Sequence, residues 1–446
     1  MKRLTLKQHI YIGSMLFGML FGAGNLIFPV YIGQQSGNNF NVVILGFLIS
    51  AVGFPLFTFI ALGVSQTFDI FTLSKRVNKL FALIYPILLY LSIGPLFSLP
   101  RLAATSFTIG ISPIIQSSST LSMVIYSIIF FVAAFILSIN PSKLLHHIGK
   151  ILTPLFLICL GIVLLLSVIH PMGSPSQYLS QTAYSSSPLA KGILDGYQTL
   201  DMLASFAFGV IVLETLQQLG VTKPQHIAKD MIKSSIICII IMSLIYWLLA
   251  YAGASSLGKL SLSQNGGIAL SQIIHYYLGD YGYYLMASIV VIGCLKTAVG
   301  LLSAVSEAIT RLFPRFAYKT ILIIVSISAT IIASFGLSNI IIWAVPVLVF
   351  LYPISICLTL LALCEKWFNR DSTVYQLTIG FSIIPALLDA LSNLPSTSGL
   401  LFNLKQYALT VNQFLPFASY GFGWFVPAII GFFLGFIYLK MKKPNQ

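Results

Sequence analysis

Three ionisable residues stand inside long apolar stretches, and two nearby stretches carry residues that interrupt helices. Lys296 lies midway along Gly293-Cys294-Leu295-Lys296-Thr297-Ala298-Val299-Gly300. It is about fifteen residues from either end of its apolar segment, roughly 20 Å of helix on each side at 1.5 Å per residue. From that depth its ammonium cannot snorkel to water. It is either a structural ion pair or hydrogen bond inside a helix bundle, or a titratable or surrogate-cation group. Arg101 closes the run Gly94-Pro95-Leu96-Phe97-Ser98-Leu99-Pro100-Arg101 and reads as a tie between helices. Asp201 either pairs with a cation or lines an outer vestibule.

The helix-breaking residues suggest what those charges could serve. Gly22-Ala23-Gly24-Asn25 is followed by Pro29. Pro29 has no N–H and cannot bond the carbonyl of Asn25 four residues earlier. With two glycines just before it, the backbone can unwind here. Gly18 and Gly22 also fit the small-xxx-small spacing of close helix packing. An unwound stretch within a bilayer is tolerated where it lines a cavity. There the outer half-helix offers free N–H groups and a positive dipole end to a carboxylate, and the inner half offers free carbonyls to an ammonium or a metal cation. A second, weaker break signal lies near Ser205–Gly209, in Asp201-Met202-Leu203-Ala204-Ser205-Phe206-Ala207-Phe208-Gly209, which would put Asp201 one turn outside the break.

The elements that must position these residues are membrane-spanning helices. The chain has 446 residues, is 57% hydrophobic and is only 8% charged, with a mean hydropathy of +0.95. A soluble domain carries about a quarter charged residues. From Gln8 to Phe68 there is no Asp, Glu, Lys or Arg. A span needs roughly 20 apolar residues, so this stretch suffices for two and is too long for a signal peptide. Twelve apolar segments are expected, at about 8–33, 41–66, 80–110, 118–139, 151–169, 192–218, 234–257, 281–310, 320–336, 339–363, 373–390 and 413–439. The stretch 261–277 is too short and polar to span, and its Ile268, Leu270, Ile273, Ile274 and Tyr277 suit an amphipathic helix on the outer face.

The loops orient the bundle. With the N-terminus inside, nineteen of the 24 Lys and Arg residues fall in inner segments, beginning with Lys2, Arg3 and Lys7 and ending with Lys440, Lys442 and Lys443. Lys191, Lys259 and Lys405 fall outside. This positive-inside bias places both termini in the cytoplasm and makes the span number even. The net charge of +14 is spread over these loops and does not read as a nucleic-acid surface. Glu214 and Glu307 read as solvated residues of the inner face. His146 and His147 are neighbours that do not face each other on a helix, and the five cysteines lack metal-ligand or disulfide spacing. If ten helices form two repeats of five, segments one and six correspond and the second repeat is inverted. Paired interrupted helices at corresponding places point to a transport site.

No H-E-x-x-H, G-x-S-x-G or G-x-x-x-x-G-K-[ST] appears, so an enzyme is not expected and transport would draw on an ion gradient. A channel would show polar rings along one continuous path; a receptor or intramembrane enzyme would show a catalytic pair or an attached soluble domain. Isolated breaks fit a secondary transporter better.

Several stretches carry a resemblance. Ser14-Met15-Leu16-Phe17-Gly18-Met19-Leu20-Phe21-Gly22-Ala23-Gly24-Asn25-Leu26-Ile27-Phe28-Pro29 closely resembles the opening of the bacterial branched-chain amino acid carriers of the BrnQ type. Ile93-Gly94-Pro95-Leu96-Phe97 with Pro100-Arg101, Asn140-Pro141-Ser142-Lys143-Leu144 with Gly149-Lys150, and Gly196-Tyr197 with Thr199 and Asp201 do so too. The resemblance implies an all-α polytopic protein of the amino acid–polyamine–organocation superfamily. Its twelve helices would form a LeuT-like 5+5 inverted repeat, over 1–170 and 171–365, with two C-terminal helices in 366–446. It implies a multi-pass cell-membrane protein importing leucine, isoleucine and valine with sodium or protons as coupling ion, and no other cofactor. The alternative is a proton-coupled or cation-independent carrier of other small apolar amino acids. By resemblance, Gly22, Ala23, Gly24 and Asn25 form a first unwound substrate-binding region, and Ser205, Phe206, Ala207 and Phe208 a second. Phe206 and Phe208 would wall an apolar pocket. The carbonyls of Gly18 and Phe21 with Cys294, Thr297 and Ala298 resemble a sodium site. The chain departs from the family pattern at Lys296, where a small or neutral residue is usual. Lys296 is therefore either a surrogate for the coupling cation or a paired charge, with Asp201 a candidate partner, beside an ordinary sodium site.

Overall fold

The computed structural model describes residues 4–67, 69–116, 119–140, 143–395 and 399–442, Lys442 by its backbone alone. Lys2, Arg3, Pro141, Ser142 and Lys443, used in the loop charges or the resemblance, lie outside these. Among the described residues the chain is helical, without strands. The first segment is two helices, α1 (Leu6–Leu20) and α2 (Ala23–Ser36). A helical run 40–65 follows, and then a run 79–115 whose later part contains α3 (Ser98–Thr105). Helices Thr120–Ser138 and 145–169 complete the first half. The sixth segment is again two helices, α4 (Pro188–Tyr197) and α5 (Asp201–Gln218), bent by 43°. The long helices α6 (Pro224–Ser256) and α7 (Tyr281–Leu312) come next, then Tyr318–Ala333, Leu337–Cys364, Ser372–Ser392 and Phe425–Lys442.

Among the described residues eight helical runs are long and apolar enough to cross a membrane, and the bent pair α4–α5 makes a ninth. Tyr318–Ala333 and Phe425–Met441 are apolar but shorter. The last apolar segment begins later than its hydropathy implies. Phe417 and Gly421 adopt left-handed backbone, with φ of 62° and 76°, and a separate helix Gly399–Asn412 precedes this turn. The helix Gly266–Leu278 does not merely lie along a surface. Asn265 caps it through bonds to the N–H groups of Gly267 and Ile268, and Leu270, Ile273 and Ile274 are buried against the bundle.

Side-chain polarity is turned inside out relative to a soluble protein. Ile125, Ile128, Ile129, Val132 and Ile136 recur at helical spacing on the exposed face of their helix, whereas Ser127 and Ser138 of the same helix are buried. Ile158, Ile162, Leu165 and Ile169 form a second such stripe. Exposed apolar stripes of this extent need a hydrocarbon solvent.

Glycines set how closely the helices approach. A Cβ on Gly33 would collide with the Ala250 carbonyl, and one on Gly253 with the Val30 carbonyl, so α2 and α6 pack backbone to backbone. Gly161 faces open space. Gly253→Ala is therefore expected to force the two helices apart, at about 1–3 kcal/mol for overpacking, and to lower the thermal midpoint of the detergent-solubilised protein. Gly161→Ala serves as the control that leaves it unchanged; equal midpoints for the two variants would contradict this packing.

Candidate functional site

Phe21 and Gly22 interrupt the first segment. α1 ends with the Phe21 N–H donating to the Phe17 carbonyl at 2.8 Å, and Gly22 is extended at φ −109°, ψ −152°. The Gly22 N–H donates to Asn25 Oδ1 at 2.9 Å. Ala23, Gly24 and Asn25 are thus the first turn of α2 rather than part of the unwound stretch, and Pro29 sits inside α2. Their N–H groups open a helix and have no intrahelical partner one turn earlier.

The α1 side of this break is closed by α7. Lys296 Nζ donates to the carbonyls of Gly18 at 3.1 Å and Phe21 at 2.5 Å, and Thr297 Oγ1 donates to the Gly18 carbonyl at 3.1 Å. Lys296 is fully buried, with the rings of Phe17, Phe21 and Phe156 at 5.2, 5.5 and 4.4 Å from Nζ. The ammonium is thereby held by two carbonyl dipoles and three ring faces, both suited to a dehydrated cation. Cys294 and Ala298 are buried on the same helix, but their side chains make no hydrogen bond to α1 among the described residues. Gly18 has no room for a side chain: a Cβ would meet Thr153 Oγ1 and Ile148.

The second break corrects the expectation from sequence. α4 ends at Tyr197, Leu200 takes the left-handed conformation at φ 66°, and α5 starts at Asp201. Ser205, Phe206, Ala207 and Phe208 lie in the helical interior of α5, all buried, with Ser205 Oγ bonding back to the Asp201 carbonyl at 2.8 Å. Asp201 is at the break itself, not one turn outside it. The glycine at 209 was a misleading cue, because a membrane helix tolerates it. The informative cue was Thr199 and Asp201 together, residue types that favour helix starts. Thr199 Oγ1 bonds the Gly196 carbonyl at 2.8 Å and covers the open end of α4.

Asn25 joins the two breaks. Its Nδ2 donates to Asp201 Oδ1 at 3.0 Å and Oδ2 at 2.7 Å and also contacts Tyr246 Oη, while the Tyr246 hydroxyl donates to Asp201 Oδ2 at 2.8 Å. Tyr246 comes from α6 and had no signal in the sequence beyond being a polar-tipped ring in an apolar run. Asp201 pairs with these groups and not with Lys296. Among the described residues a narrow crevice between the breaks is lined by Gly22–Asn25, Ser98, Arg101, Thr199, Asp201 and Thr297. Arg101 reaches it from α3, which follows a kink at Gly94 (φ −92°, ψ −120°) and Phe97 (φ −131°, ψ −57°). Glu214 and Glu307 lie away from the crevice, both bonded to Arg311 at 2.5 and 3.2 Å. Chemically the crevice presents helix N–H groups, a cation and a carboxylate around a free volume of about 10 Å³, room for about one water molecule in this structure. Among the described residues it contains no nucleophile–base pair, and an amino acid could enter only once the two breaks part.

The Asn25–Asp201–Tyr246 clamp predicts a graded mutant series. Tyr246→Phe removes one of the bonds to the carboxylate and is expected to cost about 1.5–3 kcal/mol. Asn25→Leu leaves both Asp201 oxygens without their shared donor and is expected to cost about 3–5 kcal/mol. Chemical or thermal unfolding of the purified variants checks the order; Asn25→Leu as stable as wild type would contradict the clamp.

The chain was compared with known proteins. Residues 5–442 match the family model described as branched-chain amino acid transport protein. The branched-chain amino acid permease BrnQ of Lactobacillus delbrueckii subsp. lactis is 39% identical over 434 residues, 97% of this chain and 96% of that protein. The permeases BrnQ and BraB of Bacillus subtilis (strain 168) are each 36% identical, covering 98% and 99% of this chain and 98% of either relative. Among solved structures, MhsT in complex with L-phenylalanine aligns over 98% of this chain and 100% of its own, with a TM-score of 0.54 at 15% identity. Mhp1, a nucleobase-cation-symport-1 family transporter in a closed conformation, aligns over 98% and 93% with a TM-score of 0.59 at 13% identity. These two likenesses establish a LeuT-like transporter fold.

Proposed function

This chain belongs to the family of branched-chain amino acid transport proteins, and on that premise we propose that it is a secondary transporter importing leucine, isoleucine and valine across the cell membrane by alternating access. The observation that carries the reading is the meeting of the two helix breaks around one polar crevice in an otherwise apolar bundle. The free N–H groups at the start of α2 would receive the substrate's carboxylate, with the helix dipole adding roughly half a positive charge. Binding that draws the two breaks together, and release that parts them, would couple substrate to the rocking of one five-helix unit, 1–170, against its inverted counterpart, 171–365. Residues 366–446 would flank them as two further helices, and both termini would be cytoplasmic, as the inner-loop Lys and Arg residues favour.

Lys296 supports a reading of the coupling ion. Its ammonium is bonded to the Gly18 and Phe21 carbonyls, the groups that a sodium ion between α1 and α7 would use. We infer that Lys296 takes the place of that ion, so that uptake proceeds without sodium and draws on protons if it is coupled at all. Radiolabelled leucine uptake into proteoliposomes, with sodium or proton gradients imposed, tests this. Uptake by the wild type is expected to ignore sodium, and Lys296→Thr is expected to become sodium-stimulated; strict sodium dependence of the wild type would refute the surrogate-cation reading.

The same assay tests the substrate class. One methylene in an apolar pocket is worth about 1–3 kcal/mol, so unlabelled isoleucine and valine should compete with leucine within roughly 10–200-fold of one another, while lysine and glutamate should not. Efficient competition by lysine or glutamate would overturn the branched-chain assignment.

A further inference from the structure

Arg101 is not accounted for by the packing of the fold. It is 3% exposed, and its Nη1 has no hydrogen-bond partner among the described residues. The ring of Phe28 lies 5.7 Å from its Cζ. Asp201 lines the same crevice, yet no ion pair joins the two among the described residues; Asp201 accepts from Asn25 and Tyr246 instead. Removing a guanidinium from water without an acceptor is strongly unfavourable. A purely structural arginine would be expected to have found one.

Its position says which acceptor it suits. A Cβ built on Gly24 would stand only 3.1 Å from Arg101 Nη2, so the guanidinium lies directly against the first turn of α2. Arg101, Ala23 and Gly24 line the same crevice. A planar fork of N–H donors matches the two oxygens of a carboxylate, and such bidentate pairs are among the stronger hydrogen bonds. A bare helix N-terminus recognises any small anion; adding Arg101 favours a carboxylate. The Asp201 carboxylate on the other wall of the crevice repels an anion that lacks a compensating ammonium. A molecule carrying both groups on one carbon satisfies both walls.

We propose that Arg101 is a specificity-determining residue that binds the α-carboxylate of the transported amino acid beside Gly24. The proposal rests on the reading that the crevice between the two breaks is the substrate site. It makes the free carboxylate, not only the branched side chain, a condition of binding. Leucinamide, which replaces that group by a neutral carboxamide of nearly the same shape, is the probe.

The experiment is isothermal titration calorimetry of leucine and of leucinamide, each alone, against the full-length protein in lipid nanodiscs. Wild type binds leucine more tightly than leucinamide. Arg101→Gln is expected to weaken leucine by on the order of 10–100-fold, as for loss of a charge-assisted hydrogen bond, while leucinamide changes by less than about threefold, so that the preference between the two ligands collapses. Equal weakening of both ligands, or an unchanged preference, overturns the proposal and leaves Arg101 a structural tie. If Arg101→Gln does not fold, Arg101→Lys carries the same comparison: its preference for leucine falls at least threefold, and a wild-type preference overturns the proposal. Failure of the underlying reading is separate, since it appears as wild-type protein that binds neither ligand.

Discussion

A backbone polar group in hydrocarbon must find its partner inside the protein. Every interruption of a spanning helix exposes such groups, and the structure around the two breaks is arranged to answer them. At the first, Asn25 returns a carbonyl oxygen to the Gly22 N–H, and Lys296 and Thr297 supply donors to the Gly18 and Phe21 carbonyls. At the second, Thr199 covers the Gly196 carbonyl. The first turn of α2 opens beside the crevice, which Ala23 and Gly24 line.

Three charges share this interior and are stabilised in three ways. Lys296 is solvated by carbonyls and ring faces, Asp201 by neutral donors on two other helices, and Arg101 by the face of Phe28 with donors to spare. Oppositely charged side chains in a low-dielectric medium would attract strongly if they touched. Here no ion pair joins them among the described residues, and the neutral groups Asn25 and Tyr246 donate to the carboxylate. A ready-made Arg101–Asp201 pair would compete with a zwitterionic substrate for the same partners. The charges outside the crevice are built on the opposite plan. There Arg311 bridges Glu214 and Glu307, and Arg76 and Arg370 both reach the buried Glu365. Direct ion pairs of this kind hold α5 and α7, and the ends of helices further along the chain, in one relative position.

The two breaks were not equally legible in the sequence. The first announces itself, because two glycines and a proline within eight residues act on the chain locally. Even so, the interruption falls at Phe21–Gly22 and not across Gly22–Asn25. The side chain of Asn25 caps the new helix, and Pro29 is accommodated within it. The second break is made by Thr199 and a left-handed Leu200. Leucine carries no local signal for that conformation. It is held there because Asp201 is pulled toward Asn25 and Tyr246, residues 176 and 45 positions away in the chain.

What the sequence determined by itself was the solvent and the plan: spanning helices, the gathering of basic residues into alternate loops, and the interruption of the first segment. These follow from hydropathy, charge and local backbone sterics, which act over one or two helical turns. The depth of Lys296 was equally plain, since a position along a helix translates directly into ångströms. The tertiary structure alone decided the partners. Nothing in the spacing of Asn25, Arg101, Asp201, Tyr246 and Lys296 says that Asn25 reaches Asp201 while Arg101 does not, or that Lys296 turns to α1. Those choices depend on how closely α2, α3, α5, α6 and α7 approach and at what rotation. That is settled by close contacts such as Gly33 and Gly253 against the facing backbone and Gly24 beside the guanidinium. Hydrogen bonds and ion pairs are short-ranged in space and indifferent to distance along the chain, so a site assembled from five helices becomes legible only when the helices are packed.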